Sequence, residues 1–167
     1  MNARIVQISV SRGGVPKTAV PMARVTTEGL EGDAQRDREH HGGPERAVCL
    51  YSIEAIERLQ AEGHSIAPGS IGENVTVEGL DWSALVPGDH LLLGDHVLVQ
   101  VTRYTSPCVN IQGSFKDGEF GRVSQKRHPG WSRVYARVLV EGTIRQGDPV
   151  RLLDPIEAAE VSAAASR

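Results

Sequence analysis

The feature that most constrains this chain is apolar alternation with a period of two. Val6, Ile8 and Val10 form one such run, Val75 and Val77 a second, Val97, Val99 and Val101 a third, and Val134, Ala136, Val138 and Val140 a fourth. Successive side chains of a strand point to opposite faces, so each run reads as a strand with one face buried. Gly94-Asp95 separates Leu91–Leu93 from His96–Tyr104 and predicts a hairpin, with glycine supplying the positive φ of a tight turn. Pro87-Gly88-Asp89 and Gln146-Gly147-Asp148 each stand just before a short apolar run and read as turns that launch strands. One helix stands out: Ser52 is its N-cap, Ile53, Ile56 and Leu59 share a face, Glu54 and Glu57 occupy the first turns, and Gly63 stops it. Many short strands, 18 glycines, 9 prolines and a single strong helix predict a mainly β fold. Its expected form is a closed or nearly closed β-barrel with a few short helices, because closure removes exposed strand edges.

A length of 167 residues suits one domain. Residues 1–154 carry the pattern, and the Ala- and Ser-rich stretch 155–167 is expected to be a flexible, fraying tail. The formal charge of −3 speaks against a surface dedicated to nucleic acid or to an anionic membrane, so any basic site must be local. No span approaches the roughly 20 apolar residues needed to cross a bilayer. The two cysteines, Cys49 and Cys108, lack CxxC spacing, which leaves a disulfide framework or structural zinc site little to work with. Reduced thiols in a cytoplasmic protein are the expectation.

Cys108 is the first candidate for chemistry. It follows Ser106-Pro107 directly after the strand ending near Tyr104, and proline cannot continue a sheet ladder, so the thiol should face a loop mouth near bases such as Arg103. A small buried thiol is the competing reading. Cys49 lies inside the apolar run Ala47-Val48-Cys49-Leu50-Tyr51 and reads as buried filler. The segment from Gly29 to Arg46 is a long polar loop rich in charge and glycine, of the kind that usually has a task. Within it His40 and His41 diverge in an extended chain and suit turn stabilisation better than a shared metal, while Gly42-Gly43 suits close backbone approach or simply a tight turn. Lys17-Thr18, Gly72-Glu73-Asn74 and Ser132-Arg133 could hold an anion, although a solvated surface charge explains any one of them more simply. Lys126-Arg127-His128 reads as an exposed loop. The chain has no Walker loop, dinucleotide fingerprint, HExxH or GxSxG, which removes the common nucleotide, zinc-protease and serine-hydrolase readings.

Taken together, Gly29-Leu30-Glu31-Gly32-Asp33, His41-Gly42-Gly43-Pro44-Glu45-Arg46-Ala47, Gly72-Glu73-Asn74-Val75 and Ser106-Pro107-Cys108 resemble the MOSC domain family, named for the C-terminal domain of molybdenum cofactor sulfurases. The likeness extends over about residues 5–153 and is strongest to small bacterial members, including those that reduce N-hydroxylated purines. It implies a β-barrel and a site for molybdenum cofactor (molybdopterin), with Cys108 as the metal ligand. A soft thiolate suits a high-valent metal whose other sulfurs come from the cofactor. By the same resemblance Lys17 and Thr18 face the pterin phosphate, Asn74 and Ser106 hydrogen-bond the cofactor, and Asp33, His41, Gly42 and Gly43 wall the pocket. The amidoxime-reducing branch carries arginine directly after the Gly-Asp pair, where this chain has Ala34, and its nearest arginine is Arg36.

The resemblance implies reduction of a small N-hydroxylated substrate, with electrons from an external reductase because the chain carries nothing like a flavin, haem or iron–sulfur site. A second implied role is sulfur transfer, in which Cys108 takes a persulfide from a pyridoxal-phosphate cysteine desulfurase. A third is storage or delivery of the cofactor without turnover. The sequence leaves the oligomeric state open, a homodimer included.

Overall fold

The structure is a computed structural model and describes residues 2–34 and 43–167. Eleven strands dominate the described residues: β1 (Arg4–Val10), β2 (Thr18–Val20), β3 (Met22–Thr26), β4 (Gly29–Leu30), β5 (Val48–Ser52), β6 (Val75–Glu78), β7 (His90–Leu93), β8 (Val97–Tyr104), β9 (Val134–Val140), β10 (Gly142–Arg145) and β11 (Val150–Leu153). Two α-helices, α1 (Ile53–Ala61) and α2 (Pro155–Ala165), and several 3₁₀ turns complete the described chain. The mainly β reading holds.

Eight strands form one sheet in the order β11-β7-β8-β9-β5-β6-β1-β2, and β10-β3-β4 form a smaller one. The expected hairpin joins β7 to β8, with Leu93 opposite Val97 and Gly94 at φ 68° in the turn. The two Gly-Asp turns launch β7 and β11, which pair with each other. β5 and β6 are the parallel pair, and parallel neighbours need a crossover, which α1 supplies. Helix α1 begins where its cap signal stands: Ser52 Oγ accepts the Ala55 N–H at 3.1 Å, and Ile56 and Leu59 are buried beneath it. β5 is buried along its whole length, as a strand lying between β9 and β6 and covered by a helix must be.

The described strands do not close into a barrel by a continuous ladder. Where closure was expected, the N-terminal half of β1 meets the turn before β11 through one bridge, Arg4 to Pro149, and three backbone hydrogen bonds. The C-terminal half of the same edge is taken by β2, so one strand edge is shared between two short partners.

The C-terminal stretch is also corrected, because residues from Pro155 onward form a helix. Asp154 Oδ1 accepts the Glu157 N–H at 2.8 Å and Pro155 fills the first helical position, a start signal that the alanine-rich composition obscures. Ala158 packs on Leu92, Leu98 and Leu153 in a small satellite core separate from the main one.

Candidate functional site

Two successive strands and the loops beside them open a cavity of about 270 Å³. β8 ends at Tyr104, Thr105-Ser106-Pro107 leaves the sheet, and Cys108 stands in extended conformation ahead of a 3₁₀ segment, Val109–Ser114. Its carbonyl accepts the Ile111 N–H at 3.1 Å, which fixes the turn beyond it. The Cys108 thiol is partly exposed and lines the cavity together with Ser106, Asn110 and Ile111.

The opposite wall comes from β5 and β9, paired so that Cys49 stands across from Tyr135. The apolar face of β9 carries Val134, Ala136 and Val138, so its alternation turns Arg133 and Tyr135 the other way, where both line the cavity beside Cys49. This pattern was in the sequence, yet attention to the apolar half of the alternation hides the polar half. Arg133 is not the solvated surface charge that its loop setting suggested: it is 7% exposed. Its Nη1 donates to the Ile71 carbonyl at 2.7 Å, while its Nε is buried without a partner. Its backbone carbonyl accepts the Thr105 N–H at 3.1 Å, which ties the start of β9 to the loop that carries Cys108.

The two cysteines differ. Burial pushes the Cys49 thiol up to about 11, only partly opposed by the Arg133 charge, so Cys49 is a neutral thiol in the cavity wall. Burial likewise raises the Tyr135 phenol to about 12. Behind the wall, desolvation raises the pKa of the fully buried Glu73 carboxyl above the usual carboxylate range; its Oε2 accepts from Thr76 Oγ1 at 3.2 Å and its Oε1 has no partner.

Lys17, Asp33 and Asn74, expected to face a cofactor, make hydrogen bonds with one another. Lys17 Nζ donates to both oxygens of Asp33, at 2.9 and 2.7 Å. Asp33 also accepts the Ser11 N–H at 2.9 Å and Asn74 Nδ2 at 2.9 Å. The remaining Asn74 groups are committed as well, Oδ1 to the Cys49 N–H at 3.0 Å and Nδ2 to the Ser9 carbonyl at 3.2 Å. Asn74 therefore locks β1, β5 and the Gly-Asp turn together and does not line the cavity, whereas Lys17 does. Thr18 is exposed in β2, opposite Val10, and Gly43 is exposed at φ 91°, both outside the cavity lining. Arg36, His41 and Gly42 lie outside the described residues. No helix among the described residues is long and apolar enough to cross a membrane.

Comparison with known proteins agrees with the motif pattern. A family model described as MOSC domain matches residues 37–151. The uncharacterized protein YflK of Bacillus subtilis (strain 168) is 36% identical over 138 residues, which cover 82% of this chain and 60% of YflK. A protein named reductase from Gibberella moniliformis is 32% identical over 119 residues, 68% of this chain and 21% of that protein. Among solved structures, YiiM from Geobacillus stearothermophilus superposes with a TM-score of 0.69 at 27% identity, covering 91% of this chain and 75% of that one. The chain thus spans under two thirds of the length of these two sequence relatives.

Proposed function

Because the chain belongs to the MOSC domain family, we propose that it binds molybdenum cofactor with Cys108 as metal ligand and reduces small N-hydroxylated compounds. The observation that carries this reading is the partly exposed Cys108 thiol opening into a cavity of about 270 Å³ at a strand exit. Among the described residues no group of three or more His, Cys, Asp or Glu is placed to hold a metal ion. A metal at Cys108 whose other donors come from a cofactor has a donor set that a soft thiolate suits. Arg133, which lines the same space, gives an anionic group there a cationic neighbour.

When bound, the cofactor supplies two-electron oxygen-atom chemistry: two electrons and two protons convert N–OH to N–H and water. The protein's own residues hold and shape the site. Cys108 anchors the metal, and the neutral Cys49 thiol leaves one cysteine suited to ligation. Tyr135 keeps its proton at neutral pH and stays a hydrogen-bonding group in the wall. Electrons come from an external reductase.

The test is elemental analysis for molybdenum, with pterin fluorescence after oxidation, on wild type and Cys108→Ala from a host that makes the cofactor. Near-stoichiometric molybdenum that vanishes in the variant, together with turnover of hydroxylamines or amidoximes, is expected. Apo protein from a host whose other molybdoenzymes are loaded would overturn the reading. A mass gain of one sulfur on Cys108 after incubation with a cysteine desulfurase would then establish the sulfur-carrier role.

A further inference from the structure

We propose that Arg133 is the anion anchor of the cavity, the group that receives an oxyanion, either a phosphate monoester of a cofactor or a carboxylate on a substrate. The proposal deepens the reading of the same cavity given above. Among the described residues two cationic side chains line that space, Lys17 and Arg133. They are not equivalent. The Lys17 ammonium is matched by Asp33 through two short contacts, with both side chains almost fully buried, so its charge is already neutralised inside the protein. Arg133 is as deeply placed, yet no carboxylate among the described residues lies within ion-pair distance of it.

What holds Arg133 is its hydrogen bonding. Nη1 is tied to the Ile71 carbonyl, which fixes the plane of the guanidinium, and Nε is left buried with no acceptor. A desolvated cation with an unused donor is costly unless a ligand completes it. Guanidinium presents its N–H groups as a rigid planar fork, the geometry that matches phosphate and carboxylate oxygens. The lining around it adds polar side chains, Ser106 and Asn110, on the Cys108 side of the cavity. An oxyanion held by Arg133 therefore places the rest of its molecule toward Cys108, because both groups border one space of limited volume.

The experiment uses apo protein and needs neither molybdenum nor turnover, so its outcome is separate from that of the cofactor reading. Inorganic phosphate and benzoate are each titrated at constant ionic strength, with thermal midpoint and calorimetric binding as readouts. Wild type should be stabilised in a saturable way by at least one of them. Arg133→Met should bind on the order of tenfold or more weakly, the loss expected for a charge-assisted hydrogen bond. Arg151→Met, which removes an exposed cation on β11 outside the cavity lining, should bind as wild type does. Response to phosphate alone assigns the anchor to a phosphate monoester, and response to benzoate alone assigns it to a carboxylate-bearing substrate. Should Arg133→Met fail to fold, the Nε–H resonance of Arg133 in wild type gives the answer, since it must shift on titration. No response to either anion, an unmoved Nε–H resonance, or wild-type affinity in a folded Arg133→Met overturns the proposal.

Discussion

Lys17 Nζ lies 2.7 Å from Asp33 Oδ2, and the two side chains are only 8% and 5% exposed. They join the chain between β1 and β2 to the turn after β4, and Asn74 and the Ser11 amide extend the contact into β6 and the end of β1. A pair this deep gains its Coulomb energy at the cost of desolvating two charges, so its net worth is modest while the cost of breaking it is large. Lys17→Met alone, or Asp33→Asn alone, should destabilise the protein by about 3–5 kcal/mol, because each leaves one charge buried without its partner. Lys17→Met with Asp33→Asn should cost clearly less than the sum. Urea unfolding of the four proteins measures this, and additive losses would show that the two residues act independently.

The two thiols should separate in a labelling experiment. Cys108 is partly exposed at the cavity, whereas Cys49 is buried and its thiol is pushed up to about 11. Native protein at about pH 8 should therefore take up one equivalent of iodoacetamide, on Cys108, and the second only after unfolding. Cys108→Ala should take up none. The shift at Cys49 also has a stability consequence. The unfolded thiol ionises near 9.0 while the folded one holds its proton to about 11, so between these values the unfolded state loses protons first and stability falls as pH rises. Cys49→Ala should flatten that alkaline decline, as read by urea midpoints across the range. An unchanged slope would place the decline on other groups, the raised Tyr51 and Tyr135 phenols among them.

Local signals predicted the elements well. Ser52 caps α1, Gly94 turns the β7–β8 hairpin, and the Gly-Asp turns start β7 and β11. Each of these depends on a few neighbouring residues, whose chemistry a linear sequence displays. Cys108 at a strand exit was legible for the same reason, since proline beside it interrupts the ladder. Closure of the sheet was less legible, because which partner takes the outer edge of β1 depends on residues far apart, Thr18–Val20 and Asp148–Val150. The β5–β9 side of the cavity was less legible for a similar reason. Arg133 and Tyr135 occupy the polar half of an alternating strand, and only the β5–β9 register brings them to Cys49 and the cavity. Asn74 was expected to hydrogen-bond a cofactor, and its partners in the structure, Cys49, Ser9 and Asp33, come from three distant segments.

Gly69 is a position where a single methyl group should be felt. It sits at φ +84°, and a Cβ built there would meet the Lys17 carbonyl oxygen at 2.6 Å and Ser9 Oγ at 3.0 Å. Its own carbonyl accepts the Lys17 N–H at 2.9 Å, so the clash falls on the segment that positions the Lys17–Asp33 pair. Gly69→Ala should cost roughly 1–3 kcal/mol from backbone strain, with further loss if Lys17 is displaced. Thermal unfolding would read this. Gly147 is the control, since its φ is +91° but nothing lies within 4 Å of its Cβ position, so Gly147→Ala should show the strain without the clash. Equal losses at the two positions would remove the clash from the account.

Glu73 gives the last prediction, and its sign follows from burial. Desolvation raises its folded-state pKa above the unfolded value of 4.5, with the backbone amides of Gly69 and Glu73, then Arg133 and the Thr76 hydroxyl, opposing the rise. The folded state therefore binds the proton more tightly than the unfolded state. The resulting stability is fully present below pH 4.5 and is lost progressively as pH rises through the folded pKa. Glu73→Gln keeps an oxygen that can accept from Thr76 but cannot ionise, so it should remove this component of the pH dependence. Its amide nitrogen takes the place of the unpartnered Oε1 at a cost that does not vary with pH. The difference in unfolding free energy, wild type minus variant, should thus fall steadily from pH 4 to pH 7 while the constant offset drops out. A difference that rises over the same interval would mean that the opposing hydrogen bonds and the Arg133 charge outweigh desolvation and that Glu73 is ionised in the folded protein.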